Sequence, residues 1–237
     1  MIYGARPASI FAPVASLVGL SAPPADISLV RFVDRVRSQR DSQKCIGQAL
    51  SEGLHVAGGG IGPHASSRGI WTGARVRERA RRGDALLNVG TTFPDGIAGC
   101  IEMGVYAEDD TEDDPAWNNR ESALDELEQC KPLPADTFGL LYGADAVRAS
   151  LATGWPVAFA MYVDDAYERL DGSATWTGRT GATIGGHAQL VVGSYANGDF
   201  LVLNSWGDWG AGGYARFTEA ALLQGWDMHA IRKGANL

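Results

Sequence analysis

The sequence predicts an α+β protein, with helices in the N-terminal half and short strands in the C-terminal half. Residues 46–56 place apolar side chains at a spacing of four, and residues 69–82 indicate a second helix. Residues 157–163, 189–195 and 200–203 are short apolar runs, which are typical of strands. A chain of 237 residues is long enough for one large domain or for two closely packed halves.

Residues 1–26 are apolar and interrupted by prolines. An apolar stretch behind a positive charge is typical of a signal peptide, but Pro7 and Pro13 break the stretch. We therefore expect an N-terminal extension that needs no zymogen processing. It would pack on its own domain or on a protein partner. Residues 27–39 predict a short extended segment that leads into the main domain, residues 27–237.

Cys45 stands at the start of the first predicted helix. The positive end of a helix dipole and the unpaired backbone N–H groups there lower a thiol's pKa toward the thiolate. Cys100 lies on an apolar helix face with Ile97 and Ile101, so we expect it to be buried and inert. Among the three cysteines, which include Cys130, Cys45 is therefore the candidate nucleophile.

The most informative stretch is a predicted hairpin whose turn is the dipeptide Asn197-Gly198. A two-residue turn would place Asn204 opposite Val191. Because side chains alternate between the faces of a strand, His187 and Asn204 then share one face. They are still several residues apart along the ladder, so twist or a bulge has to bring them together.

These motifs resemble the papain-like cysteine peptidases. The C-terminal match is Gly-Gly-His-Ala around His187, followed by Asn-Ser-Trp-Gly from Asn204, a second Trp-Gly and Gly-Gly-Tyr. The N-terminal match is the spacing of Gln39 from Cys45, which resembles the family pattern V-x-x-Q-(x5)-C. The resemblance covers roughly residues 27–232.

The resemblance implies the fold of that family. A helical subdomain would span about residues 40–130, and an antiparallel, β-barrel-like subdomain would span about residues 135–233. The active-site cleft would lie between them. The resemblance also implies a peptide or protein substrate, and it implies no cofactor and no metal.

The same resemblance assigns roles to individual residues. Cys45 would be the nucleophile, His187 the general base, and Asn204 the residue that orients the imidazole. The Gln39 side chain and the Cys45 backbone N–H would form the oxyanion hole. Trp206 would shield the bond between His187 and Asn204.

Substrate-binding positions follow from the resemblance as well. Gly90 and Thr91 precede a predicted helix with Pro94 in its first turn, and their backbone would pair with an extended substrate. Gly186 and Trp206 would border the substrate on the other wall of the cleft.

The residues around Cys45 depart from the family pattern. Gln43 replaces a glycine, Ile46 replaces an aromatic residue, and Gly47 weakens the helix by about 1 kcal/mol relative to alanine. These changes leave two alternatives open. The chain could be another thiol enzyme on this scaffold, such as an amidase or cell-wall endopeptidase. It could also be a catalytically degenerate module with a structural or interaction role in a larger assembly, for example a phage particle.

Charge and cysteine content exclude several other classes of function. The net charge of −8 provides no basic footprint for nucleic acid. Three cysteines give no disulfide framework, so we expect a cytoplasmic or particle-associated protein without a membrane span. His55 and His64 have no cysteine or carboxylate cluster beside them in sequence and predict packing or surface histidines rather than a metal site. The five arginines in residues 75–82 predict a solvated helix face.

Overall fold

The structure of the chain is a computed structural model, which describes residues 15–16, 22–82, 90–109 and 120–232. Within these ranges the helices are α1 (Cys45–Ala57), α2 (Ser67–Arg82), α3 (Phe93–Glu102), α4 (Leu124–Leu127), α5 (Ala144–Ala152), α6 (Asp165–Glu168) and α7 (Glu219–Leu222). The strands are β1 (Ala15–Ser16), β2 (Ile27–Ser28), β3 (Phe138–Leu140), β4 (Val157–Val163), β5 (Gly185–Ser194), β6 (Phe200–Leu203), β7 (Tyr214–Phe217) and β8 (Trp226–Ile231). The long helices α1, α2 and α3 precede the long strands β4 and β5 along the chain, as the sequence predicts.

Side-chain capping explains the start of α3 but not that of α1, where the N-cap residue Lys44 makes no capping bond with its side chain. α1 begins at Cys45, one residue before the predicted start. At α3, the Thr92 hydroxyl accepts a hydrogen bond from the Asp95 backbone N–H at 3.2 Å, and Pro94 occupies the first turn. A side-chain acceptor at this position satisfies a donor that a helix leaves unpaired, so the predicted cap is confirmed.

The strands form one sheet in the order β1-β3-β8-β4-β5-β6-β7, with β2 paired to β5. All described pairings are antiparallel except that of β1 with β3. In this part of the chain the sheet is not closed into a barrel, which refines the β-barrel-like prediction. Beyond β7, a single bridge between Trp176 and Phe217 takes the place of a further paired strand.

Helix α1 packs across the sheet. A Cβ built on Gly53 would lie 2.1 Å from Ile231 Cδ1 and 3.2 Å from Leu190 Cδ1, so the helix backbone lies directly on β8 and β5. Ile46 and Leu50 of the same helix are buried in the core cluster. This packing fixes the end of α1 that carries Cys45 relative to the strand that carries His187.

Gly47 permits close contact between α1 and α2, which the sequence interpretation missed. A Cβ at Gly47 would lie 2.2 Å from the Ser67 backbone oxygen. We expect Gly47→Ala to lower the free energy of unfolding by about 1–3 kcal/mol, because the clash outweighs the gain in helix propensity. Gly73→Ala is the matched control, since its Cβ would meet its nearest neighbour at 3.6 Å. Equal unfolding midpoints in urea for both variants would contradict this prediction.

The hairpin of β5 and β6 differs in register from the predicted one. Its turn is one residue longer than predicted, and the pairing shifts again between Val191 and Gly193. Both changes move the partner strand in the same direction. Extending the observed register places Asn204 opposite Gln189 instead of Val191, which is two residues closer to His187. The longer turn and the bulge each bring Asn204 one residue closer to His187 along the ladder, which an unbroken ladder with a two-residue turn would not do.

The described arginines of α2 are solvated only in part, with the side chains of Arg77, Arg79 and Arg81 29 %, 39 % and 33 % exposed. Arg75 is buried, with its guanidinium 5.3 Å from the Trp71 ring and 3.9 Å from a Glu78 oxygen. The acidic partners come from segments distant in sequence: Arg77 pairs with Glu102, Arg79 with Glu121 and Arg81 with Asp95. The predicted solvation is wrong for Arg75, because the spacing of charges along one helix does not show which of its side chains the fold buries.

The described parts of the N-terminal extension contact the chain's own domain. β1 pairs with β3, and the Ser194 hydroxyl donates to the Ala25 carbonyl at 2.8 Å. Residues 1–14 and 17–21 lie outside the described residues, so a protein partner for them stays a prediction. The proposed subdomain limits stay a prediction as well. Nothing in the described ranges forms a helix of the length and hydropathy that crossing a membrane requires.

His229 is a buried core residue with an expected effect on stability at low pH. It is 3 % exposed, and burial lowers its pKa from 6.5 to about 3. Between these pH values the unfolded chain binds a proton that the folded chain does not, so stability falls as the pH falls. We expect His229 to contribute a loss of about 2 kcal/mol between pH 7 and pH 5. Unfolding midpoints of His229→Leu should therefore be less pH-dependent, and an unchanged pH dependence would contradict this prediction.

Candidate active site

His187 and Asn204 are joined by a short hydrogen bond. His187 Nε2 lies 2.6 Å from Asn204 Oδ1, which also accepts from the Ser205 backbone N–H at 2.7 Å. Because this oxygen is an acceptor, Nε2 carries the proton and Nδ1 is the basic atom of the neutral ring. His187 Nδ1 has no hydrogen-bond partner among the described residues. The pair therefore presents a base with a fixed tautomer.

Trp206 covers the imidazole. Its ring is stacked on His187, with centroids 4.3 Å apart and planes inclined by 29°. Trp206 in turn packs edge-on against Trp209 and Tyr167. Burial lowers the pKa of His187 to about 4, and the hydrogen bond to Asn204 opposes part of this shift. The neutral imidazole is thus favoured unless an anion lies beside it.

Gln39 is held beside Asn204 by a short stretch of strand-like pairing. The Gln39 backbone N–H donates to the Ser205 carbonyl at 2.8 Å, and the Gly207 N–H donates to the Arg37 carbonyl at 2.9 Å. The Ser205 hydroxyl donates to Gln39 Oε1 at 2.7 Å. The bond from the Ser205 hydroxyl to Gln39 Oε1 turns the amide nitrogen of Gln39 toward the start of α1, where this nitrogen donates to the carbonyl of Ser42 at 3.0 Å.

Cys45 is the first residue of α1 and is fully buried. Gln48 and Ala49 follow it on the same helix face, three and four residues later. These two residues line a space of about 280 Å³, part of it open to solvent, together with Ala188 and Asn204. The side of α1 that carries Cys45, Gln48 and Ala49 therefore points toward the two segments that carry His187 and Asn204.

Comparison with solved structures identifies the fold. Neither a protein-family model nor a curated protein matches the chain. Xylellain, a cysteine protease from Xylella fastidiosa, superposes with a TM-score of 0.72 at 22% identity, over 97% of this chain and 95% of that one. The chain has the papain-like fold. Procathepsin B S9 from Trypanosoma congolense gives a TM-score of 0.71 at 15% identity, over 99% of this chain and 87% of that one.

A plant structure belongs to the same group. A cysteine protease from Carica candamarcensis, in complex with E-64, gives a TM-score of 0.63 at 19% identity, over 88% of this chain and 99% of that one. The α+β architecture predicted from the sequence is confirmed by these similarities. At such identities the likeness is one of fold, and the roles of single residues need their own support.

The positions predicted to bind substrate have different surroundings in this papain-like fold. Thr91 is buried, and its hydroxyl lies 3.4 Å from Glu78 Oε1 of α2. Gly90 is also buried, and Gly186 pairs with Tyr162 inside the sheet. Gly90, Thr91 and Gly186 can offer a substrate only backbone groups, so their role stays a prediction. The Trp206 ring stacks on His187, and its predicted place beside the substrate stays a prediction as well.

Two residues that support the papain-like site were missed in the sequence. Ser205 lies inside the recognised Asn-Ser-Trp-Gly motif, so its bond to Gln39 could have been suspected from its position. Tyr167 gave no such signal. Its hydroxyl bonds Gln189 and its carbonyl accepts from Trp209 Nε1 at 3.0 Å, which fixes the aromatic cluster behind Trp206.

Proposed function

We propose that the chain is a cysteine peptidase that hydrolyses peptide or amide bonds through Cys45, His187 and Asn204. The observation that carries this proposal is the 2.6 Å bond from His187 Nε2 to Asn204 Oδ1. It leaves Nδ1 as the one basic atom of a buried imidazole, which is what a thiol nucleophile requires of its partner. The cysteine proteases that share the fold support the same chemistry.

The proposed reaction has two halves. The Cys45 thiolate attacks the carbonyl carbon, and the imidazolium of His187 protonates the amine as the C–N bond breaks. Water, deprotonated by the neutral imidazole, then attacks the thioester, the C–S bond breaks, and the acid leaves, which restores the Cys45 thiolate and the His187 imidazolium. In both halves the negative carbonyl oxygen would accept hydrogen bonds from the Gln39 amide and the Cys45 backbone N–H.

Burial and the proposed ion pair with Cys45 shift the pKa of His187 in opposite directions. Burial lowers its pKa, whereas an adjacent thiolate stabilises the imidazolium. The intact bond to Asn204 and the stacked Trp206 favour an active enzyme over a degenerate module, because a protein without the chemistry has no need of a fixed tautomer. Substrates of the peptidase, cell-wall endopeptidase and amidase classes would all use these residues, and parallel assays with peptide, muropeptide and glutamine substrates distinguish them.

Selective alkylation tests the proposed thiolate. We expect iodoacetamide to label Cys45 rapidly at about pH 6, where an ordinary thiol with a pKa near 8.5 is almost wholly protonated. Cys100 and Cys130 serve as internal controls, because burial raises the pKa of Cys100 to about 12 and raises that of Cys130. Peptide mass spectrometry gives the rate at each cysteine.

The His187→Ala variant is the matched control for this experiment. If the imidazolium stabilises the thiolate, labelling of Cys45 should slow by about tenfold or more in the variant, while labelling of Cys130 stays the same. Labelling of Cys45 in the wild type no faster than that of Cys130 would contradict the proposed function.

A further inference from the structure

A cluster of two histidines and an aspartate lies at the end of α1 opposite Cys45. His55 is in the last turn of α1, His64 follows the glycine-rich loop after it, and Asp34 precedes the helix. One side-chain ligand atom from each residue lies within 4.8 Å of the other two. The sequence interpretation missed this group because Asp34 is 21 residues from the nearer histidine (55 − 34 = 21).

The geometry of the cluster converges on the Asp34 carboxylate. His64 Nε2 lies 2.9 Å from Asp34 Oδ1, and His55 Nε2 lies 3.7 Å from Asp34 Oδ2. His55 and His64 are only 5 % and 4 % exposed, whereas the Asp34 side chain is 52 % exposed. Two buried nitrogen donors therefore face a carboxylate that remains accessible to an ion and to water.

Several of the buried nitrogens are unsatisfied. Within the described residues, neither ring nitrogen of His55 has a hydrogen-bond partner, and neither does Nδ1 of His64. Burying a polar atom without a partner is unfavourable, and here three such nitrogens lie within one cluster. A bound cation would give these lone pairs a partner.

The surrounding charges leave the cluster attractive to a cation. Arg35 and Arg37 both pair with Glu108, and Arg37 also lies 3.5 Å from Glu52. Glu52 Oε2 is 3.6 Å from His64 Nδ1. The carboxylates of Asp34 and Glu108 face the guanidinium groups of Arg35 and Arg37, and burial raises the pKa of Glu52 to about 7, so Glu52 adds part of a negative charge at neutral pH. Arg35 acts on Asp34 only through its field, and the direct partner of Asp34 is His64.

We propose that Asp34, His55 and His64 form a zinc site, with water as the fourth ligand. Two imidazole nitrogens and one carboxylate oxygen are a ligand set typical of Zn²⁺ with an open position. The two rings are stacked at 3.8 Å, so they must turn until both nitrogen lone pairs meet one ion. Tetrahedral bonds of about 2.0–2.1 Å place ligand atoms roughly 3.3 Å apart, so the 2.9 Å distance from His64 to Asp34 has to widen and the 3.7 Å distance from His55 to Asp34 has to shorten.

The rearrangement needs only rotation of the two imidazole side chains. The His64 backbone is held by the Glu108 N–H, which donates to the His64 carbonyl at 2.9 Å, and α1 holds the backbone of His55. Bound zinc would tie the segment before Gln39 to α1 and stabilise the scaffold independently of whether the chain is a peptidase.

Zinc titration of the full chain carrying Cys45→Ser tests the site. This substitution removes the thiol of the proposed catalytic pair, which could otherwise bind zinc itself. We expect calorimetry to give one Zn²⁺ per chain and thermal unfolding to show a higher Tm with zinc. Asp34→Asn and His64→Gln should each weaken binding by at least about tenfold. The matched control is Asp136→Asn, an exposed aspartate away from the cluster, which should bind zinc like the parent.

Cobalt distinguishes this site from zinc held by the proposed catalytic pair. Co²⁺ in the Asp34 site should give visible d–d bands without the near-ultraviolet charge-transfer band of a cobalt–thiolate bond. Three outcomes would overturn the proposal: no binding in the Cys45→Ser chain, equal affinity in Asp34→Asn, or loss of binding in the Asp136→Asn control. Circular dichroism of each variant confirms that it is folded before titration.

Discussion

Replacing Cys45 with alanine is expected to abolish hydrolysis and leave the fold intact. Without the thiol there is no thioester, so the catalysed rate should fall below detection for any substrate that the wild type cleaves. The side chain is buried, and removing one sulfur atom from a packed site lowers stability by only about 1 kcal/mol. Steady-state assays and urea unfolding of the same preparation measure both effects.

Cys100→Ala is the matched control for this change. Cys100 is as buried as Cys45, lies in α3, and has a pKa raised to about 12 by burial, so it should play no part in the reaction. We expect Cys100→Ala to keep its kcat while losing a similar amount of stability. Residual hydrolysis by Cys45→Ala, or a loss of activity in Cys100→Ala, would point to a different nucleophile.

The sequence predicts those residues of the site that lie in characteristic local motifs. A cysteine at a helix start, a glutamine six residues before it, and Asn-Ser-Trp-Gly after a strand are patterns within single segments. The structure places His187 and Asn204 in hydrogen-bond contact through a longer turn and a bulge. The predicted register already requires twist or a bulge, but it gives neither the position of the bulge nor the longer turn. Bulges depend on packing on both faces of the sheet, which a single strand does not encode.

What the sequence does not predict is packing between distant segments. Gly47 was interpreted through helix propensity, yet its importance lies in contact with the backbone of Ser67. Arg75 was assigned to a solvated face, yet its surroundings are Trp71 and Glu78 in the core. For Gly47 the intrinsic preference of one helix is overridden by the backbone of another segment, whereas Arg75 contacts side chains of its own helix, which the spacing of charges does not reveal.

Replacing Gln39 with alanine is expected to lower kcat by about 10²–10³-fold with a smaller change in KM, because an oxyanion donor acts mainly in the transition state. The structure supports this role through the bonds that orient the amide. Ser205 Oγ donates to Gln39 Oε1 at 2.7 Å, and Nε2 donates toward the start of α1 through Ser42. An amide nitrogen has two hydrogens, so it can donate to an oxyanion as well as to Ser42.

Ser205→Ala separates this positioning from the catalytic contact itself. It keeps the Gln39 amide but removes the bond that fixes its orientation, and it keeps the backbone bond between Gln39 and Ser205. We expect a loss in kcat of about tenfold, the cost of one buried hydrogen bond, which is smaller than the loss in Gln39→Ala. The double variant should be no slower than Gln39→Ala alone, since both changes act on one donor. Additive losses would mean that Ser205 acts by another route and that Gln39 is not oriented as proposed.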